Sequence, residues 1–544
     1  MPVVYNDSLD DQMAFDAVQS FVGGQVSNVR SNLIGPTQYS EGVNVDIDRF
    51  GGIITRRGLD DDYGTLPNTN SYNWNEAANN WETYTSTWNA APERVDSVFY
   101  FDAPSLPEQL LAVADQKVYK NIGGTTWTEV TGYTPADGAN VEMAQLTDKV
   151  YLTDGTNHVR KYDGSTFTSE STGTGNPPIC KYLKTHTNRL FAAGVSAVPD
   201  ALYASDLLDG STWDNVNNQI RIGGSVGDPI TAIHPWIGVN LVVFKERSIF
   251  NVVADPTATT AASWTVENID TRMGCVSHRS VAQVGQDLFF LAPDGIRTVR
   301  SILEGNAQAV SEPISIGIQD VIDTINWNYA NEQACGVSWN NHYILSVPTG
   351  SSTTNNTSIV YNTVAKAFVG TWTWDATDFT VSAFSGNLRL VMGTESGKAL
   401  AYLDYVQNTS ETDSTYQDDG SNYTSSVLTR GMTFGEQFSE LLPNHVELEL
   451  KPAIATAVSL RAILDEESDS VVSQQFINTE TSALTLPFDL PATFPKTVPI
   501  RNSYNLLSNG PCREMQFKVV TNSGKMWVRG IKASAFVNSI EQET

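Results

Sequence analysis

The chain has no apolar run approaching the ~20 residues a helix needs to cross a bilayer, so it is expected to carry no membrane anchor of its own. Its opening, Met1 to Asp7, has neither a basic cluster nor an apolar stretch; no secretory signal is visible, and assembly in a cytoplasm is expected. Cysteine is scarce: Cys180, Cys275, Cys335 and Cys512 are the only 4 in 544 residues, far apart and without a CxxC pair. That argues against a disulfide framework or a zinc site and predicts small buried apolar side chains. The 6 histidines (His158, His186, His234, His278, His342, His445) never stand one helical turn apart, so no helix face offers paired metal ligands. No phosphate-cradling GxxxxGK[ST] segment occurs. Cations are outnumbered, 33 Lys and Arg against 61 Asp and Glu, for a net charge of −28. Such a chain repels phosphate backbones, which argues against a nucleic-acid binder working by counterion release. The acidity either serves solubility alone or lets DNA pass without sticking.

What the chain does have is rhythm. Gly124-Thr125-Thr126-Trp127, Gly164-Ser165-Thr166-Phe167 and Gly210-Ser211-Thr212-Trp213 repeat one step after 40 and then 46 residues. A turn glycine, small β-formers and an aromatic begin an outer strand, and this period suits a four-stranded propeller blade. From Arg94 to about Asp404 short β segments alternate with Gly, Asp, Asn and Pro turns, as in Val150–Thr153, Asp154-Gly155-Thr156-Asn157 and His158–Tyr162. Hairpin pairs predict about seven blades, with six or eight allowed by insertions. The fold class expected is all-β, a propeller followed by a C-terminal antiparallel sandwich-like domain, because Val446–Leu450 and Met515–Val519 alternate cleanly. The length also calls for more than one core.

The expected division is 1–93 as an extended N-terminal segment with a Trp-rich arm, 94–406 as the propeller and 407–544 as the sandwich. Residues 8–21 read as a short amphipathic helix capped by Ser8, with Ala14, Phe15, Val18 and Phe21 on one side. The polar stretch Gln407 to Ser426 reads as a linker or crossing loop. Trp74, Trp81 and Trp88 stand seven apart in the arm. On one helical stripe they would anchor a subunit contact; otherwise they pin the arm to its own domain.

No constellation of catalytic residues is complete. Gly223-Gly224-Ser225-Val226-Gly227 has the GxSxG spelling, but Asp228-Pro229 follows at once where a nucleophile elbow needs a helix. Ser205 to Trp213 resembles the Asp-box of sialidase-type propellers, short of one residue, and that box is a structural turn. Asp46-x-Asp48, Asp60-Asp61-Asp62 and Asp465-Glu466-Glu467 could gather a hard cation but complete no EF-hand loop, and solvated turns are the expectation. No catalytic residue, cofactor or metal is assigned.

Four passages are similar to one family, the propeller-type tail proteins of bacteriophages, and resemble above all the tail nozzle, or tail tubular protein B-like component, of short-tailed phages. They are Glu41–Asp48 with Gly51–Gly58, Ile230–Val252, Gly274–Val281 with Leu288–Ile296, and Val310–Ile314 leading into Ile318–Ile325. The resemblance implies a non-enzymatic structural virion protein, a subunit of a distal six-fold ring that extends the DNA channel, retains the genome and supports its ejection. Implied partners are further copies of the chain in a hexamer, a tail adaptor protein, tail fibre or needle proteins, and double-stranded DNA that passes without sequence-specific binding. Arg56 and Arg57, the double arginine of the first passage, join Trp74, Trp81 and Trp88 as candidate subunit contacts. The implied location is the virion tail, built in the host cytoplasm. A receptor- or glycan-binding tail module is the alternative, and a glycan-cleaving tail enzyme a third.

Overall fold

The computed structural model describes residues 13–67, 94–170, 175–224, 228–258, 260–270, 272–300, 302, 312–403, 411–435, 440–451, 456–465, 474–478, 500–506 and 511–538. Seven antiparallel sheets follow one another along the chain and close a circle. Blade 1 is Val95–Phe101, Gln109–Ala114, Lys117–Asn121 and Thr128–Val130; blade 2 is Glu142–Leu146, Lys149–Thr153, Arg160–Tyr162 and Phe167–Ser169. Blade 3 is built on Tyr182–His186, Arg189–Ala193 and Ala201–Asp206, and blade 4 on Ile230–Pro235, Asn240–Lys245, Ile249–Val253 and Thr265–Asp270. Blade 5 has three described strands, Ala282–Val284, Asp287–Ala292 and Gly295–Thr298. Blade 6 is Cys335–Trp339, His342–Val347, Thr357–Asn362 and Ala367–Trp372. Blade 7 is Ala376–Ser382, Arg389–Thr394 and Ala399–Tyr402, with Leu59–Asp60 from the N-terminal region as its fourth strand.

The hydrophobic cores show why the ring closes. Each of seven clusters fills a gap between consecutive blades, and the one joining blade 7 to blade 1 packs Val391, Ala399 and Ala401 on Val95, Val98 and Leu110. Strands buried on both faces, such as Leu110–Ala114 and Leu241–Lys245, are near-continuous apolar runs for that reason. The Val98 N–H donates to Asp378 Oδ2 at 3.0 Å and the Tyr100 N–H to Thr380 Oγ1 at 3.2 Å, tying the same two blades. This is a seven-bladed β-propeller.

The repeated Gly-[Ser/Thr]-Thr-aromatic step falls at the outer turns of blades 1 and 2 and, in blade 3, within the outer strand Asp209–Trp213 that follows the Leu207–Leu208 turn. An Asn or Asp side chain folds back to close each turn. Asn121 Oδ1 accepts from the Gly123 and Gly124 N–H groups (2.8 and 3.0 Å), Asp163 Oδ1 from Ser165 and Thr166 (2.9 and 2.8 Å), and Asp209 Oδ1 from Ser211 (2.9 Å). Gly210 is required by close approach: a Cβ there would lie 2.5 Å from both Tyr151 and Leu190.

The sandwich is not purely C-terminal. Its first sheet continues blade 6: Ala367–Trp372 pairs with Gln38–Val43, and the sheet proceeds through Ser425–Thr429, Met515–Thr521, Thr456–Leu464 and Gln474–Asn478. The second holds Val45–Ile47, Ile53–Thr55, Trp527–Asn538, Glu440–Leu450 and Ile500–Asn505. Residues 13–60 therefore do not form a separate extended segment; they are strands of the sandwich and of blade 7. The helix expected at 8–21 is corrected too. Met13–Val18 is a strand paired antiparallel with Trp527–Asn538, Val18 opposite Ile531, and Val18 is buried while Phe15 is exposed. Residues 407–426 are likewise no free linker, since in the described part a turn at Asp413–Tyr416 and the pair Gln417–Asp418 and Ser421–Asn422 pack onto Leu59.

Candidate functional site: an axial plug and a sheet-switching corner

The first passage, Asn44 to Gly58, is a corner where the chain leaves one sandwich sheet for the other. Asn44 sits at φ 52, a backbone conformation Asn tolerates better than most side chains. Its Nδ2 donates to Thr373 Oγ1 (3.0 Å) and the Thr424 carbonyl (2.8 Å), and its Oδ1 accepts from Arg56 Nε (2.9 Å). Arg56 then donates to Asp418 Oδ1 at 2.8 Å and lies 3.9 Å from the Tyr423 ring centroid and 5.2 Å from that of Trp374. Burial works against the guanidinium charge, and Asp418 more than restores it, raising its pKa. Arg57 and Lys525 both reach Glu411, at 3.1 and 2.7 Å. Gly58 is obligatory, because a Cβ would sit 1.8 Å from the Gln417 carbonyl oxygen. Arg56 and Arg57 are 1% and 2% exposed, so the expectation of subunit contacts at these two positions is corrected: both side chains are spent inside their own chain. Trp74, Trp81 and Trp88 lie outside the described residues, as does Ser225.

Several of the acidic groups considered as cation ligands are engaged, while Glu466 and Glu467 lie outside the described residues. Asp48 Oδ1 accepts from the Phe50 and Gly52 N–H groups, Asp61 and Asp62 pair with Lys398 and Arg389, and Asp465 Oδ1 accepts from the Arg513 and Glu514 N–H groups. Among the described residues no group of three or more His, Cys, Asp or Glu is placed to hold a metal. The four cysteines are buried and free, and burial pushes the Cys275 thiol up to about 12.

Asp46 has a specific partner in blade 6. His342 faces two acceptors, the Asn340 carbonyl from Nδ1 at 2.9 Å and Asp46 Oδ1 from Nε2 at 3.0 Å, the arrangement of an imidazolium. Burial opposes that charge, but Asp46 raises the His342 pKa, and His342 in turn lowers that of Asp46 against the effect of its own burial. The sign follows. His342 stabilises the fold fully below its ordinary 6.5, and the contribution is lost as pH rises through its raised value; Asp46 contributes above its ordinary 3.8 and loses it as pH falls through its lowered value. In His342→Gln, the loss of stability between neutral and mildly alkaline pH is expected to flatten, as read from urea midpoints across pH 5 to 9. An unchanged slope would refute the assignment.

The third passage reaches across the whole propeller. The turn His278–Ser280, between blades 4 and 5, touches every blade, bonding to six and stacking on blade 3. Arg279 donates to the Asp96 carbonyl (2.9 Å) and Ser97 Oγ in blade 1, the Val141 carbonyl (3.3 Å) beside blade 2, and the Thr377 carbonyl (3.4 Å) in blade 7. His278 stacks on Tyr182 of blade 3 with centroids 4.6 Å apart and accepts at Nδ1 from the Ile233 N–H of blade 4 (3.4 Å). Ser280 Oγ accepts from the Leu291 N–H in blade 5 (3.2 Å), and its carbonyl from Tyr343 Oη in blade 6 (2.8 Å). A group leaving the blade 4–5 side that reaches blades 7, 1 and 2 must cross the propeller axis. The axial opening is thus plugged by the chain itself.

Charge at the plug is balanced locally. Glu142 lies 3.5 Å from Lys184 Nζ, 3.4 Å from His278 Nε2 and 3.4 Å from Arg279 Nε. Burial favours its neutral form, but Lys184, the His278 N–H and Arg279 outweigh it and hold the carboxyl well below the usual carboxylate range. Burial lowers the His278 pKa, which leaves a neutral ring whose Nδ1 accepts and whose Nε2–H points toward Glu142. Burial raises Asp378, which accepts from the Val98 and Phe379 N–H groups. Sequence reasoning isolated the passage around Arg279 but not its role, and it missed Glu142 and Lys184 entirely. Only their convergence from blades 2 and 3 onto the His278–Ser280 turn marks them.

No family model matches the chain, and no curated protein matches it. Among solved structures, YCF48 bound to D1 peptide is 9% identical with a TM-score of 0.36, covering 57% of this chain and 94% of its own. BamB from Moraxella catarrhalis is 11% identical with a TM-score of 0.35 over 66% and 95% of the two chains. The WD40 β-propeller domain of Doa1 is 8% identical with a TM-score of 0.36 over 58% and 95%. Likeness of this degree carries no functional argument; the propeller stands on its own sheet order and closing contacts.

Proposed function

We propose that the chain is a structural subunit of a bacteriophage tail, placed in the distal nozzle ring that continues the DNA channel. The observation that carries this reading is the axial plug: two of the passages resembling nozzle proteins become the Asn44–Gly58 corner and the His278–Ser280 turn, and both lock the subunit rigid. A propeller closed on its own axis cannot pass DNA, so a channel must lie between subunits. A stiff wedge suits that task, since blade 6 and the sandwich share one hydrogen-bonded sheet. A net charge of −28 suits walls along which DNA slides without counterion-release binding. The adaptor, the fibre or needle proteins and the virion location belong to this same proposal.

Electron microscopy of the purified full-length chain tests it. Six-fold rings with a central opening are expected. A chain that remains monomeric or trimeric up to its highest soluble concentration overturns the ring reading, and a ring with a basic lumen overturns the sliding argument.

A further inference from the structure

Outside the propeller, the loop 27–34 stands over the outer face of the first sandwich sheet, and the two enclose a groove of about 750 Å³, within the ~300–1,000 Å³ of ordinary ligand clefts. We propose that this groove docks an acidic, extended peptide segment of a partner protein. The inference goes beyond the ring reading and does not depend on it.

The floor comes from one row across the sheet. Leu428 stands opposite Lys518 and Lys518 opposite Arg461, with Ile463 two residues along. Their chain neighbours Val427, Val519, Leu460 and Ala462 point the other way, into the sandwich core. The roof carries Val29 and Arg30 and is tied down at both ends. The Ser27 and Asn28 N–H groups donate to the Gly317 carbonyl (2.9 and 3.3 Å), and the Gly431 N–H donates to the Ser31 carbonyl (2.9 Å). The groove is therefore formed before anything enters it.

The charge of the groove runs against that of the molecule. Acids outnumber Lys and Arg 61 to 33 along the chain, yet the charged residues lining the groove are Arg30, Arg461 and Lys518, all cations. The acids bonded to lining side chains are Glu41, 3.0 Å from Lys518 Nζ, Glu514, which accepts from Ser31 Oγ, and Asp320, which accepts from Ser27 Oγ. That leaves the guanidinium groups of Arg30 and Arg461 without an ion pair among the described residues. Lys518 and Arg461 are directly opposed on paired strands, where like charges destabilise a sheet, and Glu41 answers Lys518 alone. A local rule broken in this way marks a functional surface, here one that an anionic occupant would relieve. The apolar lining sets the ligand class. Val29 is 42% exposed and shares the groove with Ile34, Leu428 and Ile463, which a bare phosphate would leave unmet. A DNA backbone would bring its own charge up against an acidic chain. A peptide that alternates acidic and apolar side chains meets both the guanidinium forks, which hold carboxylates by two parallel bonds, and the apolar wall.

Fluorescence anisotropy with the full chain tests the proposal, using a labelled hexapeptide of alternating Glu and Val, its Gln/Val and Lys/Val counterparts, a short DNA duplex, and inorganic phosphate as competitor. The Glu/Val peptide is expected to bind, more weakly as salt is raised, with affinity about tenfold lower in Arg30→Gln and in Arg461→Gln, the loss of roughly one charge-assisted bond each. Both side chains are exposed, so these variants keep the fold. Arg461→Gln also relieves the opposed Lys518, so its melting temperature should equal or exceed that of the wild type while binding falls; a lower melting temperature with binding intact would show a residue held for the fold alone. No binding of the Glu/Val peptide overturns the proposal, as does equally tight binding of either counterpart peptide or of the duplex, displacement by an equal concentration of phosphate, or peptide binding that neither substitution weakens. The readout is independent of symmetry, so failure of the ring and failure of this groove are told apart.

Discussion

Arg56→Ala is expected to lower stability by about 3 kcal/mol, the low end of the ~3–5 kcal/mol for breaking a buried ion pair. The low end applies because the Asp418 side chain keeps 22% exposure and can recover some hydration. Three losses add to the broken pair: Asn44 Oδ1 loses its Arg56 donor, the Tyr423 and Trp374 rings lose the cation, and a cavity opens among Trp372, Trp374 and Tyr423. Arg56→Lys retains a charge but not the planar fork that reaches Asn44 and Asp418 together, so it should recover less than half of the loss. Urea unfolding followed by tryptophan emission checks both, because Trp372 and Trp374 sit beside the site. With more than one domain unfolding, the comparison uses the midpoint of that transition instead of a global free energy. A shift corresponding to less than 1 kcal/mol would show that the corner does not depend on this ion pair.

Arg279→Ala carries the second large effect. It strips hydrogen bonds from the carbonyls of Asp96, Val141 and Thr377 and leaves Glu142, already short of water, with Lys184 as its one remaining full cation within 4 Å among the described residues. A cost of about 3–5 kcal/mol follows, roughly 5–10 °C in melting temperature for a domain of this size. Arg279→Met separates packing from charge. It restores most of the volume but no donor, so it should remain nearly as unstable as alanine; recovery to wild-type stability would mean that the turn works by filling the axis alone. Hydrogen exchange adds a spatial check, since faster exchange is expected in the first strands of blades 1, 2 and 7 together.

Legibility in the sequence followed the range of the interactions. The blade rhythm was readable because each outer turn is closed within four residues, by Asn121, Asp163 or Asp209, and needs nothing distant. Hairpins such as Val150–Tyr162 and the alternation in Val446–Leu450 were local in the same sense. Met13–Val18 misled because Ala14, Phe15 and Val18 have helical spacing, whereas a partner strand near the other end of the chain decides the conformation. Val43, Val45 and Ile47 alternate with polar residues as one strand would, but the left-handed backbone of Asn44 divides them between Gln38–Val43 and Val45–Ile47. Arg56 and Arg57 read as candidate subunit contacts because their acidic partners, Asp418 and Glu411, lie in a polar stretch that carried every mark of a linker. The plug was illegible for the same reason, its contacts coming from all seven blades.

The pairing of Met13–Val18 with Trp527–Asn538 sets an order of construction. At ~5–20 residues per second, a ribosome leaves the first strand waiting roughly half a minute to two minutes for its partner. Blades 1 to 5 need only neighbouring sequence and can form during that wait, while Leu59–Asp60 stays idle until blade 7 emerges. Assembly therefore runs from the middle outward, with Met13–Val18 and Trp527–Asn538 stitched in last. Truncation ahead of Trp527 would leave unpaired edges at Met13–Val18, Ile53–Thr55 and Glu440–Leu450, open to the same strands of a second nascent chain.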